Sequence, residues 1–171
     1  LVLAVIVALA FLVRIAVMVY FRSYDIAPGA DHWDFGFETG RVARSLALGQ
    51  GFSSPMPEPS GPTGFVPPVY VLLLAGIFKV FGVYTAASAV AAYVINSLAA
   101  ALTSVALYRL GRRIFGMEVG LATAAVFAFH PSSIWHAVHT IWDVSLLALV
   151  LVLLVERLYA LAPGPSMRQS A

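Results

Sequence analysis

The sequence predicts an all-α, polytopic membrane protein: about four transmembrane helices, plus juxtamembrane helices in a long first loop on the outer side. Three observations carry that expectation. Of the 171 residues, 61% are hydrophobic and 11% charged, whereas a soluble domain averages about 45–50% apolar and about 25% charged. The apolar residues gather into runs close to the ~20 that a helix needs to cross the hydrocarbon core. The charges collect between those runs. A water-soluble chain of this length has no way to hide so much apolar surface, whereas a bilayer accepts it. The formal charge of +2 is small and gives no reason to expect a nucleic-acid partner. With no cysteine in the chain, there is neither a disulfide framework nor a thiolate metal site.

Leu1–Tyr20 reads as the first span. It contains Arg14, which the core of a cleaved signal peptide would not, and a charge at that depth requires a partner. Thr85–Leu110 reads as the second span, broken only by Asn96 and small hydroxyls, and Asn96 is expected to bond to another helix. The third, Gly120 to about Trp135, is short unless it continues past Pro131. The fourth is about Ile141–Leu161. Pro68–Phe81 is apolar but reaches only about 20 Å at 1.5 Å per residue, so it is expected to lie in the outer interface or to re-enter.

Arginines set the orientation. Arg109, Arg112 and Arg113 cluster around the connection after the second span, which therefore faces the cytoplasm. The long loop, with three arginines and five acids between Phe21 and Pro67, faces outside. The expected topology has the N-terminus inside, 21–84 outside, 111–118 inside, 132–140 outside and a cytoplasmic tail over 162–171. The chain opens on Leu1 within a hydrophobic run and ends in a polar stretch, so it is expected to be a fragment of a longer protein.

Within the loop, Asp34–Leu48 contains no proline and reads as an amphipathic helix ended by Gly49-Gln50-Gly51. Ser53–Pro68, with six prolines and two glycines, reads as an extended, turn-rich strap that returns the chain to the membrane.

The acids are the first candidates for chemistry. Asp31, Asp34 and Glu38 follow i, i+3, i+7 spacing, which on a helix places them on one face, with Arg41 continuing the stripe. Such a face is either a solvated, dipole-favoured helix start or a set of carboxylates able to act as a general base. Trp33, Phe35 and Phe37 interleave with them, as at a membrane interface. Asp143 opens the fourth span and is either a helix-start acid or a functional group at the mouth of a span. The expected topology puts it on the same side as the first-loop acids. His130, His136 and His139 lack a metal-ligand spacing; they suit hydrogen bonding to headgroups, and His139, nearest Asp143, is a candidate substrate contact. Lys79 either snorkels or binds a lipid phosphate.

These residues carry a resemblance. Arg44-Ser45-Leu46-Ala47-Leu48-Gly49-Gln50-Gly51-Phe52-Ser53 is followed by Pro62-Thr63-Gly64-Phe65-Val66-Pro67-Pro68-Val69-Tyr70 and Ile77-Phe78-Lys79-Val80-Phe81-Gly82. Later comes Tyr108-Arg109-Leu110-Gly111-Arg112-Arg113-Ile114-Phe115-Gly116. In order and spacing, from about Leu3 to Leu153, the chain resembles the N-terminal part of the polytopic GT-C glycosyltransferases. That superfamily includes dolichyl-phosphate-mannose protein mannosyltransferases and the bacterial aminoarabinose transferases that modify lipid A.

The resemblance implies a bacterial plasma-membrane enzyme that moves a sugar from a polyprenyl-phosphate donor to a lipid, glycan or protein acceptor on the outer face. It implies an acid at the start of the first-loop helix as base, here Asp34 or, by the Phe35-Gly36-x-Glu38-x-Gly40-Arg41 pattern, Glu38. A second acid before the fourth span matches Asp143. Some relatives carry a lysine where this chain has Val66, so phosphate contacts fall to Lys79, Arg41 or Arg44. A divalent cation stays open as a cofactor. The competing readings are a transporter fragment, disfavoured because the acids avoid span centres apart from Glu156, and a non-catalytic membrane scaffold.

Overall fold

The computed structural model describes residues 1–26 and 35–161. Among them are seven helices: α1 (Val2–Tyr20), α2 (Glu38–Ala47), α3 (Pro68–Phe81), α4 (Ala86–Phe115), α5 (Met117–Phe129), α6 (Pro131–Val138) and α7 (Val144–Leu161). Helices α1, α4 and α7 are long and apolar enough to cross a membrane, while α3 and α5 are shorter apolar helices. The protein is therefore the helical membrane protein that its composition demands. The outward side chains agree: Val5, Leu9 and Leu12 on α1, and Leu147, Val150, Leu151, Leu154 and Val155 on α7, are exposed. In water, apolar stripes of this length would drive association.

Helix α4 is the axis of the bundle, packing against α1, α3, α5, α6 and α7. Its buried positions are mostly small, among them Ala89, Ala92, Ser97, Ala100, Ala101, Ser104 and Ala106. Small side chains let backbones approach closely where lipid provides no hydrophobic drive. A capping box starts it: the Ser88 amide donates to Thr85 Oγ1 at 3.1 Å, and the Thr85 amide to Ser88 Oγ at 3.0 Å.

The second span is longer than the sequence predicts. It continues through the arginines to Phe115, and a single residue, Gly116 at φ 96°, turns the chain into α5. The expected 111–118 connection is therefore helical apart from Gly116. The tight return depends on glycines: a Cβ on Gly120 would lie 2.8 Å from the Tyr108 carbonyl oxygen and the Arg112 nitrogen.

The stretch expected as a third span, Gly120 to about Trp135, is instead divided: α5 ends at Phe129, because Pro131 cannot continue an α-helix and serves as the first residue of α6, and α5 is shorter than a full span. That break leaves carbonyls without intrahelical partners inside the bundle, where each must be satisfied within the protein. Arg14 does this. Fully buried, it donates from Nη1 to the Ala10 and Ala128 carbonyls at 2.8 and 2.9 Å, and from Nη2 to Ser133 Oγ at 2.9 Å. Ser133 Oγ in turn lies 2.7 Å from the Phe127 carbonyl and 2.9 Å from that of His130. The partner that Arg14 requires is thus the broken end of another helix.

Two ends of the bundle follow from the pairings. Ala100 shares a cavity with Val144, Ser145 and Ala148, and Arg109 meets Glu156, so α7 runs parallel to α4. Phe21, just past α1, packs edge-on to Trp135 of α6. The ends of α1 and α5 and the starts of α4 and α7 thus lie at one end, together with α2 and α3. The α4–α5 turn and the end of α7 lie at the other.

Candidate functional site

The end that carries α2 and α3 is organised around an aromatic cluster. Phe35, fully buried, packs with Phe78 of α3 at 5.4 Å and Tyr84 at 5.1 Å between ring centroids. Gly40 on α2 allows this: a Cβ there would come within 2.7 Å of the Phe35 carbonyl oxygen. Beside it, Gly36 adopts φ 67° and Phe37 φ 36°. These left-handed residues cannot join a right-handed helix, so α2 begins at Glu38 rather than at the predicted Asp34. The i, i+3, i+7 helical face proposed for Asp31, Asp34 and Glu38 is therefore not carried by α2. Asp31 and Asp34 lie outside the described residues. Glu38 and Arg41, one turn apart on α2, do share a face.

Gly36 is also where the first loop meets the start of the fourth span. A Cβ at Gly36 would lie 2.3 Å from Trp142 Cδ1 and 3.0 Å from the Ile141 carbonyl oxygen. Only a residue without a side chain lets the two segments approach so closely. Glu38 is two residues from this contact and Asp143 is one. Asp143 is half-buried immediately before α7, and its carbonyl accepts the Leu147 amide at 2.8 Å. The fourth span begins at Val144; Ile141–Asp143 form a non-helical segment ahead of it.

Asp143 opens onto a cavity of about 200 Å³ bounded by Pro67, Val69, Tyr70, Leu146, Leu147 and Val150. Its walls are almost wholly apolar, and Asp143 and Tyr70 are the residues with polar side chains that border it. Tyr70 donates to Asn96 Oδ1 at 3.0 Å, with both residues buried. This is the interhelical bond expected of Asn96, and its partner on α3 is a residue the sequence did not single out. Tyr70 is the hydroxyl-bearing member of the otherwise apolar start of α3, the one signal that could have marked it.

The cationic candidates are distributed unevenly. Arg41 is buried, donates to the Pro55 carbonyl at 3.0 Å, and lies 5.2 Å from the Phe37 ring centre. It ties α2 to the proline-rich strap, which is pinned by an antiparallel bridge between Ser53 and Pro62. Arg44 is half-buried over the Tyr84 ring, 5.9 Å from its centre. Lys79 is exposed on the last turn of α3, about 13 Å along that helix from Tyr70 at 1.5 Å per residue. It does not join the residues around Asp143. His139 stacks on Trp135 at 3.5 Å and meets Phe21 edge-on, which directs its ring toward the end of α1. Among the described residues, no group of three or more His, Asp or Glu side chains is placed to hold a metal ion.

This arrangement defines an integral membrane protein with polar and acidic groups gathered at one end of its helices. Residues 66–163, more than half of the chain, match the dolichyl-phosphate-mannose-protein mannosyltransferase family. The chain belongs to that family and so to the GT-C superfamily of membrane glycosyltransferases. The matched stretch includes α3 through α7 and Asp143; α2 and Glu38 precede it. Neither the curated proteins nor the solved structures yield a match.

Proposed function

We propose that the protein transfers a sugar from a polyprenyl-phosphate donor to a hydroxyl-bearing acceptor at the outer face of a bacterial plasma membrane. The observation that supports this most is the packing of Gly36 against Ile141 and Trp142, which brings the turn before Glu38 against the segment that ends in Asp143. The apolar cavity that Asp143 borders suits part of an isoprenoid chain. The orientation rests on the arginines at the opposite end, which belong in the cytoplasm. In this reading, residues 1–161 are part of the transmembrane domain and 162–171 lie inside.

The reaction is an inverting displacement. The acceptor oxygen bonds to the anomeric carbon as the bond from that carbon to the phosphate oxygen breaks. The acceptor proton passes to a carboxylate, and polyprenyl phosphate leaves. Glu38, Asp34 and Asp143 are the candidate bases, with Asp31 a more remote member of the same segment. Arg44 and Arg41 are the candidates to offset the charge growing on the phosphate. Lys79 and His139 are candidate contacts to the lipid phosphate or acceptor at the rim. The acceptor is a lipid, a glycan or a protein.

The test is sugar transfer from a polyprenyl-phosphate donor by the full-length protein in membrane vesicles. Glu38→Gln, Asp34→Asn and Asp143→Asn are each compared with wild type. Loss of the general base lowers the rate about 10²–10⁴-fold. Unchanged transfer in all three variants overturns the proposal.

A further inference from the structure

The end of the bundle away from Glu38 and Asp143 holds a second polar site. Between α4 and α7 lies a cavity of about 410 Å³, bounded by Tyr108, Arg109, Arg112, Arg113, Glu156 and Arg157. Four guanidinium groups face it, with one carboxylate. That carboxylate, buried Glu156, is paired with Arg109 at 2.9 Å. Among the described residues, no acid forms an ion pair with Arg112, Arg113 or Arg157. Arg112 lies 6.0 Å from the Tyr108 ring centre and donates to its hydroxyl at 3.4 Å. Three like charges around one concavity repel one another unless an anion sits among them, and guanidinium forks suit phosphate oxygens.

A neighbouring feature indicates what carries the phosphate. Arg109 also bounds a narrower cavity of about 170 Å³ that runs along the same two helices toward the middle of the bundle, walled by Leu102, Val105, Ala106, Leu149 and Leu153. A basic basin at the helix ends thus passes, across Arg109, into an apolar groove. Leu154, Val155 and Leu158 on α7 and Phe115 on α4, within a few residues of those that line the basin, are exposed and apolar. A soluble anion needs only the basin. A molecule with a phosphate at one end and an alkyl chain at the other fills both.

We propose that Arg112, Arg113 and Arg157 form a binding site for an anionic glycerophospholipid of the inner leaflet, whose headgroup sits among the arginines and one acyl chain in the Leu102–Leu153 groove. Basic pockets between spans on the cytoplasmic side bind anionic headgroups in this way. Asn96, beside the cavity at Asp143, and Arg109 are thirteen residues apart on α4, so the two sites are separated by about 20 Å at 1.5 Å per residue. The lipid site is independent of the transfer reaction and stands or falls separately from it.

The test uses the full-length protein in detergent, with dioleoyl phosphatidylglycerol, dioleoyl phosphatidylcholine and inorganic phosphate as probes. Retained lipid is read by native mass spectrometry and stabilisation by thermal unfolding. Phosphatidylglycerol is expected to be retained and to raise the unfolding midpoint, and phosphatidylcholine to do neither. Each arginine at an anionic headgroup contributes roughly fivefold in affinity, so Arg112→Gln, Arg113→Gln and Arg157→Gln together weaken binding roughly a hundredfold. Should the triple variant fail to fold, Arg113→Gln alone weakens retention and Arg113→Lys restores part of it. Arg22→Gln, at the opposite end and exposed, leaves retention unchanged. Equal retention of the two lipids, or retention unaffected by the Arg113→Gln variant, overturns the proposal. Stabilisation by inorganic phosphate equal to that by phosphatidylglycerol overturns the acyl-chain part and leaves a free-phosphate site.

Discussion

Replacing Gly36 with alanine tests the contact on which the candidate site depends, and the structure gives its size. Gly36 sits at φ 67°, where an L-residue incurs about 1–2 kcal/mol. The added methyl would also fall 2.3 Å from Trp142 Cδ1 and 2.6 Å from Trp142 Nε1. Carbon atoms in contact rest about 3.5–4.0 Å apart, so the turn and the indole must separate by more than about 1 Å. Overpacking of that kind adds about 1–3 kcal/mol. Gly49 supplies an internal reference. It has φ 78° but nothing within 4 Å of a new Cβ, so Gly49→Ala carries the backbone cost alone.

Gly36→Ala is therefore expected to destabilise the protein by about 2–5 kcal/mol, against about 1–2 for Gly49→Ala. Retreat of the turn would carry Glu38 away from Asp143, and a displacement of about 1 Å at a reacting centre costs on the order of 100-fold in rate. Thermal unfolding in detergent and sugar transfer in vesicles, measured on the full-length protein, read the two effects. Equal behaviour of the two alanine variants in both assays would refute the reasoning.

Two further perturbations address the packing within the bundle. Arg14→Met keeps the apolar stem but removes the donors to Ala128 and Ser133. The orphaned backbone carbonyl cannot be mutated away, so the change is expected to cost about 2–4 kcal/mol. At about 2–4 °C per kcal/mol for a chain of this size, the unfolding midpoint falls by about 5–15 °C; a fall below about 2 °C would count against the capping role. Tyr70→Phe removes the bond to Asn96, whose Nδ2 already has no hydrogen-bond partner among the described residues. It is expected to cost about 1–3 kcal/mol, and adding Asn96→Leu recovers most of that, because the pair is then apolar on both sides. A double variant no more stable than the single one contradicts this account.

Composition and hydropathy were enough to determine that the chain is helical and membrane-bound, because the bilayer thickness and the need to satisfy every backbone group leave few alternatives. An apolar run too short to span, following the Pro67-Pro68 pair, also marked Pro68–Phe81 as a separate helix. The acids and Asp143 could be named as candidates from residue type and position alone. The tertiary structure decided the rest. Whether Asp34 could belong to the first-loop helix depended on a left-handed turn at Gly36 and Phe37, which forms against Trp142, more than a hundred residues away. The sequence predicts a third span reaching about Trp135, whereas Pro131 breaks it at Phe129; nor was it legible that Arg14 would satisfy the break, because a guanidinium in a span announces a need and not its partner. The same holds for Glu156, the acid near a span centre, which is taken up by Arg109 at the far end of α4. Sequence spacing reports neighbours on one helix; the contacts that join the turn before α2 to the segment before α7, and α1 to α5, exist only once the helices have packed.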